Sequence, residues 1–132
     1  MSGRFVYVDT SVVLAHILAE DATPPCDMWD ESLISSRLLE YETWNRLRAR
    51  GCAETHGHLA DGMLRLIAFL ELVEPVVGSA ARRIEVGLRT LDALHLASML
   101  WLVGQGVELR LASYDRRLSA AADAHGVSLF PL

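Results

Sequence analysis

The clearest indication of the fold class is the segment of residues 4–20, RFVYVDTSVVLAHILAE. It opens with an apolar run, rich in aromatic and β-branched side chains, that closes on Asp9 and predicts a buried β-strand. The residues that follow have the pattern of a helix, which Thr10 and Ser11 can start. Because a strand followed directly by a helix is the building unit of parallel sheets, this segment predicts an α/β fold.

The same unit recurs along the chain. Further strands are predicted in SLISS (32–36), LVEPVV (72–77), VELRLAS (107–113) and VSLF (127–130), and further helices over residues 37–50, 54–71, 79–86, 91–103 and 114–125. Strands that alternate with helices predict a three-layer α/β/α sandwich around a central, mainly parallel sheet of four to five strands. The length of 132 residues predicts one domain that spans residues 1–132.

Charge and composition narrow the functional classes. The formal net charge is -5, and all twelve basic residues are Arg, with no Lys. An acidic chain is not expected to coat nucleic acid in general, so any nucleic acid must bind through local features. Cys26 and Cys52 lie far apart and have no CxxC spacing, which argues against a zinc site or a disulfide framework.

The location follows from the apolar stretches. They fall short of the roughly 20 apolar residues that span a bilayer. The first residues, MSGRFVYVDTS, lack the longer apolar region of a signal peptide. A cytoplasmic location, with no membrane contact, is therefore expected.

Four acids stand at positions where chemistry or capping is plausible. Asp9 closes the first predicted strand, and Asp115 lies two residues after the strand VELRLAS; each could equally well cap the helix that follows. Asp92 follows Thr90, a plausible N-cap, so its carboxylate could simply complement the helix macrodipole. Glu42 and Glu40 are two residues apart on a predicted helix, roughly 200° apart around its axis, so only one of them can face a site.

The predicted topology places two of these acids together. Parallel strands end at one edge of a sheet, where open α/β sheets form their active crevices. Asp9 and Asp115 both belong to that edge. Asp92 joins them only if the N-terminus of its helix points the same way, which its spacing alone leaves open.

Four segments of the chain carry a family resemblance. VYVDTSVVLA, SSRLLEYETWNRL, RTLDALHLASML and LASYDRRLSAAADAHGV resemble, in order and spacing, the segments that carry the acids of PIN domains, and specifically of VapC-type toxins. The resemblance implies that Asp9, Glu42, Asp92 and Asp115 are the site residues and favours Glu42 over Glu40. Ser113 stands where many relatives have Thr, which keeps the hydroxyl.

The resemblance also implies an activity. VapC-type toxins are metal-dependent endoribonucleases of toxin-antitoxin systems, which leave 5′-phosphate and 3′-hydroxyl ends. Clustered carboxylates repel each other unless a cation compensates them, and Mg²⁺ prefers such oxygen ligands. Mg²⁺, with Mn²⁺ as a substitute, is therefore the expected cofactor. Asp9 and Asp92 are expected to be its principal ligands, while Glu42 and Asp115 complete the shell or position water.

Neighbouring polar side chains are candidate supporting residues: Thr10, Ser11, Ser113, Arg46, Arg89 and Arg116. The hydroxyls can bind a carboxylate, water or phosphate, although helix capping explains them equally well. The arginines can bind phosphate, although surface ion pairs or solvated charges are the more ordinary role. His95, on an apolar helix, is expected to be a hydrogen-bonded core histidine rather than a proton carrier.

Partners and alternatives follow from the same resemblance. RNA is the expected substrate, a small antitoxin the expected inhibitor, and a homodimer or toxin-antitoxin hetero-oligomer the expected assembly. Met28, Trp29 and Trp44 could contact a partner, although core packing is more expected for each. One alternative function is a catalytically silent PIN-fold binding module. The other is an aspartyl-phosphate phosphatase or receiver-type domain, which the absence of Lys and of a second acid in VDTSV disfavours.

Overall fold

The structure is a computed structural model that describes residues 3–20, 22–84 and 87–132. The elements within these ranges are β1 (Gly3–Val8), α1 (Thr10–Ile17), a 3₁₀ helix (Cys26–Asp30), β2 (Leu33–Ser36), α2 (Leu38–Ala49), α3 (Ala53–Leu64), β3 (Ile67–Leu70), α4 (Glu74–Arg83), α5 (Thr90–Gly104), β4 (Val107–Ala112), α6 (Arg116–Ala124) and β5 (Ser128–Leu129). The predicted strands at residues 4–9, 32–36, 107–113 and 127–130 are thus confirmed within one or two residues.

The sheet is parallel throughout and has the order β3-β2-β1-β4-β5. The chain adds strands on one side of β1 and then returns to its other side with β4. β1 and β4 are paired along their whole length, from Gly3 opposite Val107 to Val8 opposite Ala112. Such a reversal of direction creates a crevice at the carboxyl ends of the two strands. Asp9 and Ser113 follow directly at that edge.

Helices cover both faces of the sheet. Alternate side chains of a strand point to opposite faces, so Val6 and Val8 pack with helices α1, α2 and α3, while Tyr7 packs with α5 and α6. The sheet therefore separates two apolar cores. Helix α4 packs against α5 on the second face. This arrangement confirms the predicted three-layer α/β/α sandwich.

Helix α5 brings an acid to the crevice. Its side chains are buried along most of its length, including His95 and Met99, as the apolar pattern of residues 91–103 predicts. Thr90 is the first helical residue and Arg89 takes the N-cap position, so the prediction that Thr90 caps the helix was wrong. No helix within the described ranges is long and apolar enough to cross a membrane.

The third strand and the two helices around it differ from the prediction. LVEPVV does not form a strand: β3 lies earlier, at Ile67–Leu70, and the predicted helix over residues 54–71 ends at Leu64. Helix α4 covers Glu74–Arg83, so Pro75 falls in its first turn, where its missing N–H has no helical partner to lose. Residues 85 and 86 of the helix predicted over 79–86 lie outside the described residues.

The apolar residues considered as partner contacts belong to the core. Met28 is fully buried in the 3₁₀ helix, and Trp29 and Trp44 pack against the same core as partly buried side chains. Core packing is thus the role that the fold gives them.

Candidate active site

Two strand ends place Asp9 and Asp115 beside each other in the fold. Asp9 follows β1 and caps helix α1, and its backbone N–H donates to the carbonyl of Ala112 at the end of β4 at 3.0 Å. Asp115 follows β4 and caps helix α6. Capping, the ordinary role expected for both acids, is therefore confirmed. It does not exclude a second role, because a carboxylate has two oxygens.

Asp9 uses one of its oxygens for all of its hydrogen bonds. The hydroxyls of Ser11 and Ser113 donate to Oδ2 at 2.7 and 2.9 Å, and the Ser11 backbone N–H lies 3.4 Å from the same atom. Oδ1 accepts no hydrogen bond from the described part of the chain. The side chain is 7% exposed, so these donors hold a nearly buried carboxylate in one orientation with one oxygen left for a ligand.

Glu42 also accepts its hydrogen bonds through one of its two carboxylate oxygens. Thr10 Oγ1 donates to Oε1 of Glu42 at 3.1 Å, and His95 Nε2 lies 2.6 Å from that oxygen. Oε2 has no hydrogen-bond partner among residues 3–20, 22–84 and 87–132. Glu40 faces elsewhere and forms a salt bridge with Arg37 at 3.0 Å. The structure therefore places Glu42, and not Glu40, beside the other acids.

Asp115, too, accepts hydrogen bonds through one carboxylate oxygen alone. Its Oδ1 accepts from the backbone N–H groups of Arg117 at 2.9 Å and Leu118 at 3.1 Å, which are unpaired donors of the first turn of α6. Ser113 accepts from the Asp115 backbone N–H at 2.9 Å, so this hydroxyl links the two strand-end acids. Oδ2 of Asp115 again has no partner in the described residues.

Asp92 differs from the other three. It lies in the first turn of α5, and its side chain accepts no hydrogen bond within the described ranges. Burial raises the pKa of Asp92 above its ordinary value, and the negative charges of Asp115, Asp9 and Glu42 raise it further, against an opposing effect of His95. An ionised Asp92 is thus disfavoured by its neighbours unless a cation joins the group.

One pocket of about 660 Å³ connects these groups. Its lining includes all four acids, the hydroxyl residues Thr10 and Ser11, the arginines Arg46, Arg50 and Arg89, and the apolar or aromatic residues Leu14, Ala15, Leu91 and Tyr114. The three arginines form no salt bridge with another residue in the described part of the chain. Arg116, by contrast, is exposed at the start of α6 and does not line the pocket.

The donor set suits a hard divalent cation. Each of the four acids leaves at least one carboxylate oxygen unpaired by the described residues, and such oxygens are the ligands that Mg²⁺ prefers. The described residues contain no group of three or more His, Cys, Asp or Glu side chains that could hold a metal ion together. Mg²⁺ does not require such a group, because it keeps several waters and is often bound by one or two carboxylates.

His95 is the hydrogen-bonded core histidine that the sequence predicts, with 1% of its surface exposed. It also contacts a site acid, which the sequence did not reveal. Burial would lower the pKa of His95, but the hydrogen bond to Glu42 and the charges of Glu42, Asp9 and Asp92 outweigh it, so the pKa is raised. The hydrogen bond between Glu42 and His95 joins residues 53 positions apart, so no local sequence pattern indicates it.

The predicted site residues leave out three charged or aromatic residues of the pocket lining, Glu20, Arg50 and Tyr114. Arg50 lies one helical turn after Arg46, so its presence beside Arg46 follows from the helical period and could have been found. Tyr114 precedes Asp115 at the end of β4, and its backbone N–H donates to Ser11 Oγ at 3.0 Å. That contact joins two segments about a hundred residues apart, which no sequence pattern indicates.

Comparison with known proteins gives the family. A search of curated proteins returns no match. The model of the PIN domain family matches residues 6–124, a range that includes the four predicted acids of the pocket. PIN domains are generally metal-dependent nucleases that act on RNA or DNA. With the fold, the edge of the sheet and the matched range all in agreement, the chain belongs to the PIN domain family.

Proposed function

We propose that this chain is a metal-dependent endoribonuclease of the VapC toxin type, formed by residues 1–132 as a single PIN domain. One observation carries the proposal. The four predicted acids line one pocket at the carboxyl edge of the sheet, and three of them are oriented through one oxygen while the other stays unpaired among the described residues. Helix capping accounts for Asp9 and Asp115 taken singly, but it does not account for the placement of Glu42 and Asp92 in the same pocket.

Mg²⁺ is the cofactor that this donor set favours, with Mn²⁺ as a substitute. Asp9 and Asp92 are the proposed direct ligands, and Glu42 and Asp115 complete the shell or position water. A bound divalent ion supplies Lewis acidity that polarises a phosphate and lowers the pKa of a water molecule. Asp9 contributes an oxygen fixed in place before the ion binds, because Ser11 and Ser113 already hold its carboxylate.

The arginines of the pocket support a polyanionic substrate. Arg46 and Arg50 on α2 and Arg89 before α5 line the same pocket as the acids, and none has an ion-pair partner in the described ranges. Guanidinium groups bind phosphate oxygens through paired hydrogen bonds. In a chain with a net charge of -5, such local cations are what a nucleic-acid strand requires. The choice of RNA over DNA rests on the family resemblance.

The biological setting is proposed on the same resemblance. The chain acts as the toxin of a toxin-antitoxin pair in the cytoplasm. A small antitoxin blocks the pocket, and the toxin forms a homodimer or a hetero-oligomer with it.

The direct test is an RNA-cleavage assay with and without Mg²⁺ on the wild type, Asp9→Asn and Asp92→Asn. We expect metal-dependent cleavage by the wild type and a loss of about 10³-fold in each variant, since the metal contributes several kcal/mol of charge stabilisation. Glu40→Gln is the matched control, because Glu40 lies on the same helix as Glu42 but pairs with Arg37. Unchanged metal-dependent cleavage in both Asp variants would contradict the proposal, and a metal-binding wild type without nuclease activity would favour a silent binding module.

A further inference from the structure

A buried chain of hydrogen bonds runs from the middle of the sheet to Glu42. The Ser36 backbone N–H donates to Tyr7 Oη at 3.2 Å, Tyr7 Oη lies 2.7 Å from His95 Nδ1, and His95 Nε2 lies 2.6 Å from Glu42 Oε1. Tyr7 and Ser36 are fully buried, and His95 is nearly so. This hydrogen-bond chain joins residues of β1, β2, α5 and α2. Of its members, Glu42 alone lines the pocket.

The chemistry of the donors fixes the direction of the chain. A backbone N–H can only donate and a carboxylate can only accept, so Tyr7 Oη accepts from Ser36 and His95 Nε2 donates to Glu42. A neutral His95 carries one ring hydrogen, which is then on Nε2, and its Nδ1 is a bare acceptor. The Tyr7 hydroxyl therefore donates to Nδ1.

The opposite tautomer is excluded at Glu42, because it would turn the lone pair of Nε2 towards the carboxylate. A doubly protonated ring also donates from Nε2, and Tyr7 Oη then accepts from Nδ1 with its own hydrogen turned away. His95 therefore presents a donor to Glu42 in either charge state, and the function of the chain does not depend on titration.

The result for Glu42 is a single orientation. Its Oε1 accepts from both His95 and Thr10, and Oε2 has no partner in the described residues. A glutamate side chain has three rotatable bonds, so holding it in place before substrate binds removes an entropic cost from the reaction. Hydrogen-bonded partners behind a site carboxylate typically change metal affinity or activity by 10- to 100-fold.

We propose that Tyr7 and His95 are positioning residues that act on catalysis through Glu42, a role that rests on the proposed nuclease function. Tyr7 holds the His95 ring from the sheet side, and His95 holds Glu42 from the side away from the pocket. Neither residue touches the substrate or the metal in this role.

The first test separates kcat from KM. His95→Leu removes both ring nitrogens, and we expect kcat to fall about 10- to 100-fold with KM within about twofold of the wild type. His95→Gln keeps an amide donor for Glu42 and is expected to recover most of the loss. Tyr7→Phe removes one hydroxyl from a buried ring, with an expected fall in kcat of about tenfold.

Thr43→Val is the matched control. Thr43 is adjacent to Glu42 on α2 and is also fully buried, but its hydroxyl has no hydrogen-bond partner in the described structure. It therefore removes a buried hydroxyl without breaking the chain, and kcat should stay within about twofold of the wild type. If Tyr7→Phe and His95→Leu remain folded with unchanged kcat, or if Thr43→Val loses as much activity, the positioning role is refuted.

A double-mutant cycle tests whether the chain acts through Glu42. In a Glu42→Gln background, measured in single-turnover reactions with excess enzyme, Tyr7→Phe and His95→Leu should cause no further loss. A further loss as large as in the wild-type background would show that they act by another route and would overturn the proposal.

A spectroscopic test does not need nuclease activity. Long-range ¹H–¹⁵N NMR of the metal-free protein should show the His95 proton on Nε2, and Tyr7→Phe should shift the Nδ1 resonance, which loses its donor. A proton on Nδ1 alone would refute the chain itself. If the proton is on Nε2 but the wild type cleaves no RNA, the hydrogen-bond chain is present. The proposed nuclease function and the catalytic role of Tyr7 and His95 then both fail.

Discussion

Asp9 and Asp92 line the same pocket but are supported in opposite ways. Asp9 accepts from two serine hydroxyls that come from α1 and from the end of β4, whereas the Asp92 side chain accepts nothing from the described residues. Burial and the charges of Asp115, Asp9 and Glu42 raise the pKa of Asp92. The Asp9 carboxylate is therefore held in place before any ion binds, whereas the ionised form of Asp92 becomes favourable only when a cation is bound nearby.

The strands and helix α5 contribute to the pocket in different ways. The strand ends supply orientation, because β1 and β4 are paired along their whole length and fix Asp9 and Ser113 relative to each other. Helix α5 supplies a carboxylate whose charge is costly without a cation. A pocket that combines both is suited to bind a divalent ion reversibly.

The largest effect is expected from removing the support of Asp9. Ser113→Ala deletes the hydroxyl that joins Asp9 Oδ2 to the Asp115 backbone N–H, which makes Asp9 more like Asp92. We expect metal-dependent cleavage to fall about 10- to 100-fold. Ser113→Thr keeps the hydroxyl and should retain activity. Equal activity in the Ala and Thr variants would show that this support is irrelevant.

The next effect concerns the arginine side of the pocket. Arg46→Gln combined with Arg50→Gln should raise KM for RNA about tenfold at low salt while kcat changes little, because flanking phosphates are bound in both ground and transition states. The salt dependence of log KM should weaken by about 0.7 per lost phosphate contact. Arg48→Gln, on the same helix but outside the pocket lining, is the control. An unchanged salt dependence would exclude phosphate binding by these residues.

A smaller effect should appear in stability at Asp115. Asp115→Ala removes the N-cap of α6 and leaves the Arg117 and Leu118 N–H groups without their acceptor, a loss of about 1 kcal/mol of unfolding free energy. Thermal denaturation should show a Tm about 3 to 5 °C lower. Asp115→Asn keeps a capping oxygen and should stay near the wild type. If both variants lose equally, charge rather than capping is the source.

The smallest effect is expected at Asp92, where a substitution should raise the thermal stability instead of lowering it. Because the pKa of Asp92 is raised in the folded protein, the folded state binds that proton more tightly than the unfolded chain. The stability from protonated Asp92 is present below the ordinary carboxyl pKa and is lost as the pH rises through the raised value. Metal-free Asp92→Asn should therefore have a Tm about 1 °C above the wild type at neutral pH, since solvent screening limits the gain. The difference should vanish in acid, and a lower Tm at neutral pH would contradict this account.

The fold was predictable where local pattern and topology agree. RFVYVD, SLISS and VELRLAS each combine β-branched and apolar residues with a clear end, and their helices follow directly. LVEPVV misled because valines favour strands, yet Pro75 in a first helical turn is equally favourable. The true third strand, IAFL, was hidden because Ile67 and Leu70 also continue the helical spacing of α3.

The site was predictable in its acids but not in their support. Asp9 and Asp115 follow from the rule that parallel strands end at one edge, while Glu42 and Asp92 needed the family resemblance to place them. The hydrogen-bond chain from Tyr7 through His95 to Glu42 could not be predicted from the sequence, because the bonded residues are 88 and 53 positions apart. Packing in the core also accounts for Tyr7 and His95 without any contact to the site.

The proposed metal site can be tested by calorimetric titration of the metal-free protein with Mn²⁺. We expect the wild type and Glu40→Gln to bind the ion with similar affinity, and Asp9→Asn and Asp92→Asn each to lose most of that affinity. Binding that is absent from the wild type, or equal in all four proteins, would contradict a metal site between the supported and unsupported acids of this pocket.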